Sequence, residues 1–563
     1  MKNLYKLGLL IAAFLPISCS DILEENPRMV VSNSNFFKTE TDCRNATDAI
    51  YHAFQNGQSF SIYGAYWPTI DVGTDDIVTR DNNNSDEWMT HTIVPEMVFL
   101  TNRNQYQYFW KAVSRANDVI KYVPTASISD IKKNVFLGEA HALRAFAYYN
   151  LVRVWGDMPK VVNSVESTTD FDLPRSSVDE IYNEIIIPDL KFAEENCVNT
   201  LHSGRVTKWT AKLILAEVYL TRAGWRRTSQ GEKVKGDASN WALARDKAKE
   251  IIDGSPHSLI TTAVVNGQNI TPACGVPWIE SKPYSVESMF ELGTISIGQT
   301  GAWLSRPGSS SNNGAGYWGV RATTIPTGYT SNIRDLAWPA AISGALNSNA
   351  GFVPSPDLYA AYDEAGDQRR DWLIVTKYIT PAGKTILSQP SIRKYMDIDF
   401  FLGTSTATFQ YTNNNIILYR FADALLIYAE AQNEADGAPN ADAYTALNRI
   451  RRRAFGVTNT SKDLSGLTQA AFRTAVYKER RLELAGEIKR RFDLIRTDGF
   501  FNVNDGTLIK VWASSYNGNF SVNANHGNVK WPDREWLLPI PLTEMNLNIS
   551  NGWVQNKGYA PNE

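Results

Sequence analysis

Two stretches of the chain, residues 63–88 and 303–338, combine aromatic rings with short polar side chains. Neutral sugars present flat apolar C–H faces rimmed by hydroxyl groups, so a site for them needs exposed indole or phenol rings beside hydrogen-bonding side chains. Both stretches therefore predict sugar-binding surfaces, although any single Trp here could instead be a core ring beneath a loop. The candidate stacking rings are Trp88, Trp303 and Trp318, then Trp67 and Trp338, and the candidate hydroxyl partners are Asp71, Asp75, Arg80 and Asn83.

Sequence patterns that would indicate an enzyme are few. No HExxH is present to bind zinc on a helix, and no GxSxG is present to carry a serine nucleophile. Gly314, Gly316 and Gly319 spell GxGxxG, but no apolar strand precedes them and no helical pattern follows. We therefore predict no catalytic residue, no cofactor and no metal. A carboxylate pair for glycoside hydrolysis stays open, because it requires only two acids at the right separation in space.

Length and charge narrow the class of ligand. At 563 residues the chain can form two or three lobes, or one lobe enlarged by insertions. Its formal net charge is only −3, with Lys and Arg spread along the sequence, which argues against a nucleic acid partner. A neutral ligand fits this balance better.

The N-terminus has the pattern of an export signal. Lys2 and Lys6 precede an apolar run over residues 7–17 that is too short to span a bilayer but suits the core of a secretory signal. The run ends at Cys19 in a sequence similar to a lipobox, which predicts a signal peptide over residues 1–18 and a lipid anchor on Cys19. An ordinary signal peptide with an incidental Cys is the alternative. The other cysteines, Cys43, Cys197 and Cys274, have no metal or disulfide spacing and are predicted to be buried thiols.

Residues 415–454 have the strongest helical pattern and predict a helical hairpin. Apolar residues from Leu418 to Tyr428 recur at steps of three and four, then Pro439 and Asn440 favour a turn and a new helix start. The hairpin is predicted to be scaffold, with docking of a protein partner as its expected external task. Its second helix ends in a charged tail of four arginines, which suit the negative end of a helix dipole. Those arginines are Arg449, Arg451, Arg452 and Arg453.

A second hairpin is predicted between residues 205 and 256. The spacing of Leu215, Ala216 and Tyr219, and of Ala244 and Ala248 later, is similar to the two helices of a tetratricopeptide repeat. The loop GWRRTSQGEKVKGDASN is longer than such a repeat would have, so a generic helical bundle explains the pattern about as well. A further helix is predicted from residue 469 to residue 496.

Residues 257–414 lose regular periodicity and are rich in Gly, Ser, Pro, Asn and Thr, yet they keep many Trp and Tyr. Disordered segments are poor in aromatics, so we expect ordered long loops with short strands, a feature that is usually functional. The predicted organisation is mainly α, with a tetratricopeptide-like helical scaffold and a long irregular insertion. Its parts are the signal peptide 1–18, an N-terminal helical region 19–256, a loop-rich ligand-binding region 257–414, and a C-terminal helical region and tail 415–563.

Five blocks, in order, resemble the SusD/RagB family of Bacteroidetes surface lipoproteins. They are CSDILEENP, ALRAFAYYNLVRVWGDMPKV, LYRFADALLIYAEAQNEADG with ALNRIRRRA, ERRLELAGEIKRRFDLIR, and WLLPIPLTEMNLN. The resemblance implies a non-enzymatic lipoprotein exposed at the cell outer membrane, where an α-helical scaffold packs on a SusC-like TonB-dependent transporter and irregular loops hold an oligosaccharide or polysaccharide. RagB-like binding of peptides or glycopeptides, and an outer-membrane glycoside hydrolase, are the alternatives.

The fourth block has a charge pattern of its own. Its acids and arginines are spaced for ion pairs along a single helix, which predicts a structural role. The residues with this spacing are Glu479, Arg480, Glu483, Glu487 and Arg491.

Overall fold

The computed structural model describes most of the chain, with gaps. The described residues are 36–55, 70–79, 87–96, 102–167, 170, 172–262, 264–265, 268–269, 272–279, 283–293, 330–331, 352–379, 385–394, 415–498, 511–512, 522–523 and 533–559. Among them, no helix has the length and apolar character needed to cross a membrane.

The helices form the body of the protein, which confirms the predicted mainly α fold. In the N-terminal part they are α1 Glu40–Gln55, α2 Glu87–Thr90, α3 Asn102–Tyr122, α4 Asp130–Trp155, α5 Val178–Ile181, which continues through a π turn at Tyr182–Ile186 into α6 Ile187–Asn196, α7 Lys208–Ala223 and α8 Ser239–Gly254. In the C-terminal part they are α9 Pro356–Ala361, α10 Gln368–Leu373, α11 Phe421–Asp436, α12 Ala441–Phe455, α13 Gln469–Leu484, α14 Arg490–Arg496 and α15 Leu542–Leu547.

Successive long helices pack against one another in a chain. Helix α1 packs on α3, α3 on α4, α4 on α6, α6 on α7, and α7 on α8. Helix α8 also packs on α11, which in turn contacts α12 and α13. The two predicted hairpins are therefore stacked side by side, because neither can bury its apolar face alone.

Both hairpins form as the pattern predicts at their helix ends. Asn440 accepts a hydrogen bond from the Ala443 amide at 2.8 Å and so caps α12. Gly437 ends α11 in the left-handed conformation that favours glycine. In the other hairpin, Thr207 caps α7 and residues at the predicted repeat positions, including Leu215 and Ala248, are fully buried.

The start of the first hairpin is a correction to the sequence prediction. Leu418 lies in a strand, Ile416–Arg420, not in the helix, which begins at Phe421. The strand pairs antiparallel with Ser288–Leu292, and every residue of both strands is buried. A strand covered on both faces has no alternating pattern, so its apolar run reads as a continuation of the helix.

The strands are short and pair mostly in twos. They are β1 Ile77–Thr79, β2 Trp225–Arg227, β3 Lys233–Lys235, β4 Val264–Val265, β5 Gln268–Asn269, β6 Ser288–Leu292, β7 Thr330–Ser331, β8 Phe352–Pro354, β9 Ile374–Ile379, β10 Thr385–Ile392, β11 Ile416–Arg420, β12 Val511–Trp512 and β13 Val522–Asn523. The pairings between these strands are antiparallel, with β1 on β8, β2 on β3, β4 on β5, β6 on β11, β12 on β13, and β9 between β7 and β10.

Two of the four arginines of α12 are buried, so the charged tail expected from the sequence is only partly exposed. The guanidinium of Arg453 is fully buried and pairs with Glu287 at 2.5 Å and with Glu483. Arg451 is also buried and pairs with Glu479 at 3.0 Å. Their charges are therefore neutralised within the fold.

The acids of α13 and its following turn pair with other elements, so the predicted pairs along one helix are wrong. Glu483 contacts Arg420 at the end of β11 at 2.6 Å and Arg369 of α10 at 3.2 Å, besides Arg453 of α12. Glu487 contacts Arg420 at 2.7 Å. This buried cluster links β11, α10, α12 and α13. The helix predicted over residues 469–496 is interrupted at residues 485–489, which separate α13 from α14.

The three cysteines in the described residues are buried and free, as predicted. Burial raises the pKa of the Cys274 thiol to about 11, and it raises the pKa of Cys197 well above its ordinary value. Both thiols therefore stay protonated and inert at neutral pH.

Candidate functional site

Of the nine predicted ligand-binding residues, the structure describes Trp88, Asp71 and Asp75. Trp88 lies in α2 and is only 5% exposed, so its ring is a core ring and not an open stacking face. Asp71 is buried and Asp75 is half-buried. The other six, and Cys19, lie outside the described residues: Trp67, Trp303, Trp318, Trp338, Arg80 and Asn83.

Asp75 and its neighbour Asp76 are occupied by arginines from the C-terminal helices. Asp75 accepts two hydrogen bonds from the guanidinium of Arg490, at 2.7 and 2.6 Å. Asp76 accepts one from Arg481 at 2.6 Å. Asp75 was predicted to bind sugar hydroxyls. Its carboxylate instead holds the loop against α14, and the neighbouring Asp76 holds it against α13.

Asp71 is held in the same place by the backbone. Its carboxylate accepts a hydrogen bond from the Arg491 amide at 3.0 Å. Burial raises the pKa of Asp71 to about 7, repulsion from Asp76 adds to this, and the Arg491 amide partly offsets both. Asp71 therefore supports the loop and does not present its carboxylate to solvent.

The segments on either side of residues 80–86 are fixed to the body of the protein. Gly73 has φ +77°, and a side chain there would lie 2.6 Å from the Trp88 carbonyl oxygen, so the two segments touch through a position that only glycine fits. His91 contacts Glu535 at 2.8 Å. The chain that carries Arg80 and Asn83 thus begins and ends on a rigid base.

A strand pairing joins the surroundings of the two predicted sugar-binding stretches. In the β1–β8 ladder, Ile77 faces Pro354, Val78 faces Val353 and Thr79 faces Phe352. Strand β1 lies inside the first aromatic stretch, and β8 begins at Phe352, after the second stretch ends at residue 338. The ladder therefore joins the first stretch to the segment that follows the second, across more than two hundred residues of sequence.

We expect Asp71→Asn to change stability in a pH-dependent way. Because the pKa of Asp71 is higher in the folded protein than its ordinary value of 3.8, the folded state binds the proton more tightly. Burial of the charged Asp71 carboxylate therefore lowers the free energy of unfolding of the parent as pH rises from about 4 to about 7. A neutral Asn at this position has no such pH dependence. The variant should gain on the order of 2–4 kcal/mol relative to the parent over that range, measured by urea unfolding at each pH.

Asp75→Asn is the matched control, with the opposite sign. Burial alone raises the pKa of Asp75, but Arg490 and Arg481 lower it overall. Its loss should therefore destabilise at neutral pH, and the difference should shrink in acid. An Asp71→Asn difference that stays constant from pH 4 to pH 8 would contradict the assigned burial cost.

A separate cavity of about 370 Å³ lies between the C-terminal ends of α4 and α7, the β2–β3 hairpin and α14. Its wall is partly aromatic, with Trp225, Tyr182, Phe492 and Trp536, and Arg222 and Lys235 lie at its lining. This volume falls within the range of small-molecule sites.

The match to sequence families decides what kind of protein carries these sites. Residues 316–559 match the model described as "SusD family", and residues 25–220 match the model described as "Starch-binding associating with outer membrane". The chain belongs to the SusD/RagB family. Both matches include parts of the described body of helices, and the first includes the buried cluster around Glu483.

Individual SusD-like proteins align along nearly the whole chain. SusD-like protein P25 of Formosa agariphila is 28% identical, over 97% of both chains. The crystal structure of a SusD homolog from Bacteroides thetaiotaomicron superposes with a TM-score of 0.73 at 22% identity, over 94% of this chain and 98% of that one. A structure titled "Laminarin binding SusD-like protein" gives a TM-score of 0.65 at 22% identity, over 93% of this chain and all of the other.

The sequence reasoning missed the cavity of this SusD-like protein. Its aromatic residue Trp225 and its cation Lys235 both lie in the loop that was too long for a tetratricopeptide repeat, and this loop folds into the β2–β3 hairpin. The excess length, together with a Trp and several basic residues, was the available signal. Across the described part of the chain, no group of three His, Cys, Asp or Glu side chains is placed to hold a metal ion.

Proposed function

We propose that this protein is a cell-surface glycan-binding lipoprotein that captures oligosaccharides or polysaccharide and delivers them to a SusC-like TonB-dependent transporter. Membership of the SusD/RagB family supports the proposal most directly. The similarity to a solved laminarin-binding SusD-like protein supports a sugar as the class of ligand. The family resemblance also supports binding without catalysis.

The proposed sugar site is built from the two aromatic stretches. The β1–β8 ladder supports this, because it joins the first stretch to the segment that follows the second. Trp303 and Trp318, then Trp67 and Trp338, stack on sugar faces, and Arg80 and Asn83 bind hydroxyl groups. Trp88, Asp71 and Asp75 support this site from beneath. A ring on a rigid base loses little conformational freedom when it binds, which favours recognition of a flat sugar face.

The proposed anchor is a lipid on Cys19, which would hold the protein at the outer membrane beside the transporter. The described body begins at residue 36, so the sixteen residues 20–35 lie between the anchor and the segment that leads into α1. The helical scaffold faces the transporter, and the loops face the glycan.

Titration of single Trp→Ala variants tests the sugar site. Loss of Trp303 or Trp318 should weaken binding of the cognate oligosaccharide about tenfold, since one lost stacking contact removes roughly 1.4 kcal/mol. Trp241→Ala is the control, because Trp241 is a half-buried ring on α8, in the helical body. The measurement is isothermal titration calorimetry against the best ligand from a glycan array.

Three outcomes would contradict the proposal. They are unchanged affinity in all four Trp→Ala variants, binding on a peptide panel without binding on the glycan array, and release of reducing sugar from a polysaccharide that one carboxylate substitution abolishes. Delivery is tested separately by co-purification with the tagged transporter from outer membranes, where no association would overturn it.

A further inference from the structure

The cavity beside the β2–β3 hairpin has a charge pattern that the proposed sugar site does not explain. Most of its cations have partners in the fold. Arg226 pairs with Asp179 at 2.6 Å, and Arg496 pairs with Glu430 and Asp493. Arg153 lies between the rings of Tyr149 and Phe492, 4.0 and 3.8 Å from their centres.

Two cations of the cavity differ from these. Arg222 lies over the ring of Tyr182 at 5.4 Å, and Lys235 lies over the ring of Trp225 at 5.9 Å. Within the described ranges, neither has a carboxylate oxygen within 4.0 Å. Their hydrogen-bond donors are therefore available to a ligand.

The two acids among the described lining residues are already engaged. Asp179 pairs with Arg226, and the carboxylate of Asp237 accepts a hydrogen bond from the Ser239 amide at 2.9 Å at the start of α8. These hydrogen bonds to Ser239 are the main reason that the pKa of Asp237 is lowered, and the charge of Arg222 contributes least. The cavity therefore keeps an excess of positive charge.

The hairpin geometry places a ring next to these cations. Trp225 faces Lys235 directly across the β2–β3 ladder, so their side chains lie on the same face. Trp225 is half-buried. A planar guanidinium and an ammonium favour a carboxylate, while an indole favours the apolar face of a sugar ring, and a single ligand can satisfy both.

We propose that this cavity binds a uronic acid unit, with Arg222 and Lys235 on its carboxylate and Trp225 against its ring. This ligand is acidic, in contrast to the neutral ligand that the net charge of the chain favours. The site lies on the helical body, and its described lining includes no residue of the two aromatic stretches. The proposal does not depend on the loop site.

The test uses glucuronate as the probe and glucose as its neutral match, on the mature protein, with saturation-transfer NMR and calorimetry. Glucuronate should bind at least tenfold more tightly than glucose, and more weakly as salt rises. Arg222→Gln and Lys235→Gln should each weaken glucuronate binding at least fivefold. Trp225→Ala should weaken it while leaving the cognate glycan of the loop site unaffected.

Lys208→Gln is the matched control. Lys208 is on the same helix as Arg222 and lies over the ring of Trp209 at 5.7 Å, but it is at the other end of α7 and outside the cavity. Its substitution should leave glucuronate binding unchanged. Melting temperatures of all variants exclude unfolding as the cause of any loss.

The proposal would be overturned if glucuronate did not bind, or if it bound equally well to the parent and to both cation variants. Binding of inorganic sulfate with the same dependence on Arg222 and Lys235, without binding of glucuronate, would overturn the assignment to a sugar acid. Trp303→Ala and Trp318→Ala should keep glucuronate binding. Failure of the loop site and failure of this cavity are thus separate results.

Discussion

Glu483→Gln is expected to lower the free energy of unfolding by about 3–5 kcal/mol, because it removes one partner from a buried cluster of ion pairs. Glu483 contacts Arg420 at 2.6 Å and Arg369 at 3.2 Å, and it also pairs with Arg453. All four side chains are almost fully buried. With a neutral amide at position 483, three buried guanidinium groups lose a charged partner. Water cannot replace that partner, because the groups are almost fully buried.

The effect should depend on pH. Burial by itself raises the pKa of Glu483, but Arg453, Arg420 and Arg369 together hold it well below its ordinary value of 4.5. The carboxylate therefore contributes stability that is present above about pH 4.5 and is lost as pH falls through its lower folded pKa. Urea unfolding at several pH values should show the difference between parent and variant shrinking in acid.

Glu184→Gln is the control for the loss of a carboxylate. Glu184 pairs with Lys160 at 2.9 Å, but its side chain is 55% exposed. Solvent screens such a pair, so the loss of stability should be much smaller than for Glu483→Gln. Equal small effects of the two substitutions would show that the cluster around Glu483 contributes little to stability.

Gly236→Ala is expected to destabilise the protein by about 3 kcal/mol, at the upper end of the usual cost of overpacking. A Cβ at this position would lie 1.8 Å from the Arg222 carbonyl oxygen and 2.8 Å from the Gly224 carbonyl oxygen. Both obstacles are backbone atoms, so no side-chain rotation relieves them. The Gly236 amide also donates to the Gly224 carbonyl at 2.7 Å, which fixes the close approach.

The same substitution should distort the cavity, because Gly236 lies between Lys235 and Asp237 on its lining. We expect lower stability in urea unfolding together with weaker glucuronate binding. Gly437→Ala is the control, since Gly437 has φ +74° and open space around it. Its cost should be only about 1 kcal/mol, from backbone conformation alone. A smaller cost at Gly236 than at Gly437 would contradict the steric assignment.

The sequence alone determined the helices, the hairpins and the family. Periodicity at Leu447 and Ile450 reports which face of α12 is buried, and the cap at Asn440 marks where that helix begins. The periodicity at Leu425 and Tyr428 predicts the helix α11, although that helix is buried on all sides from Phe421 to Asn433. These signals are local, because helix geometry links residues only a few positions apart. The five family blocks show in which order these elements follow along the chain, but they do not show which residues are in contact.

The tertiary structure decided which groups meet. Glu287 lies in the turn before β6, Arg420 ends β11, Arg453 lies on α12 and Glu483 on α13, and only the packing of these parts of the chain makes them partners. In the same way, Arg490 binds Asp75, which lies more than four hundred residues earlier in the sequence. A carboxylate that was predicted to bind a sugar hydroxyl therefore holds its loop to the helical body. The cavity beside the β2–β3 hairpin also exists only once α4, α7 and α14 converge, because a binding site depends on distances in space that residue spacing along the chain does not fix.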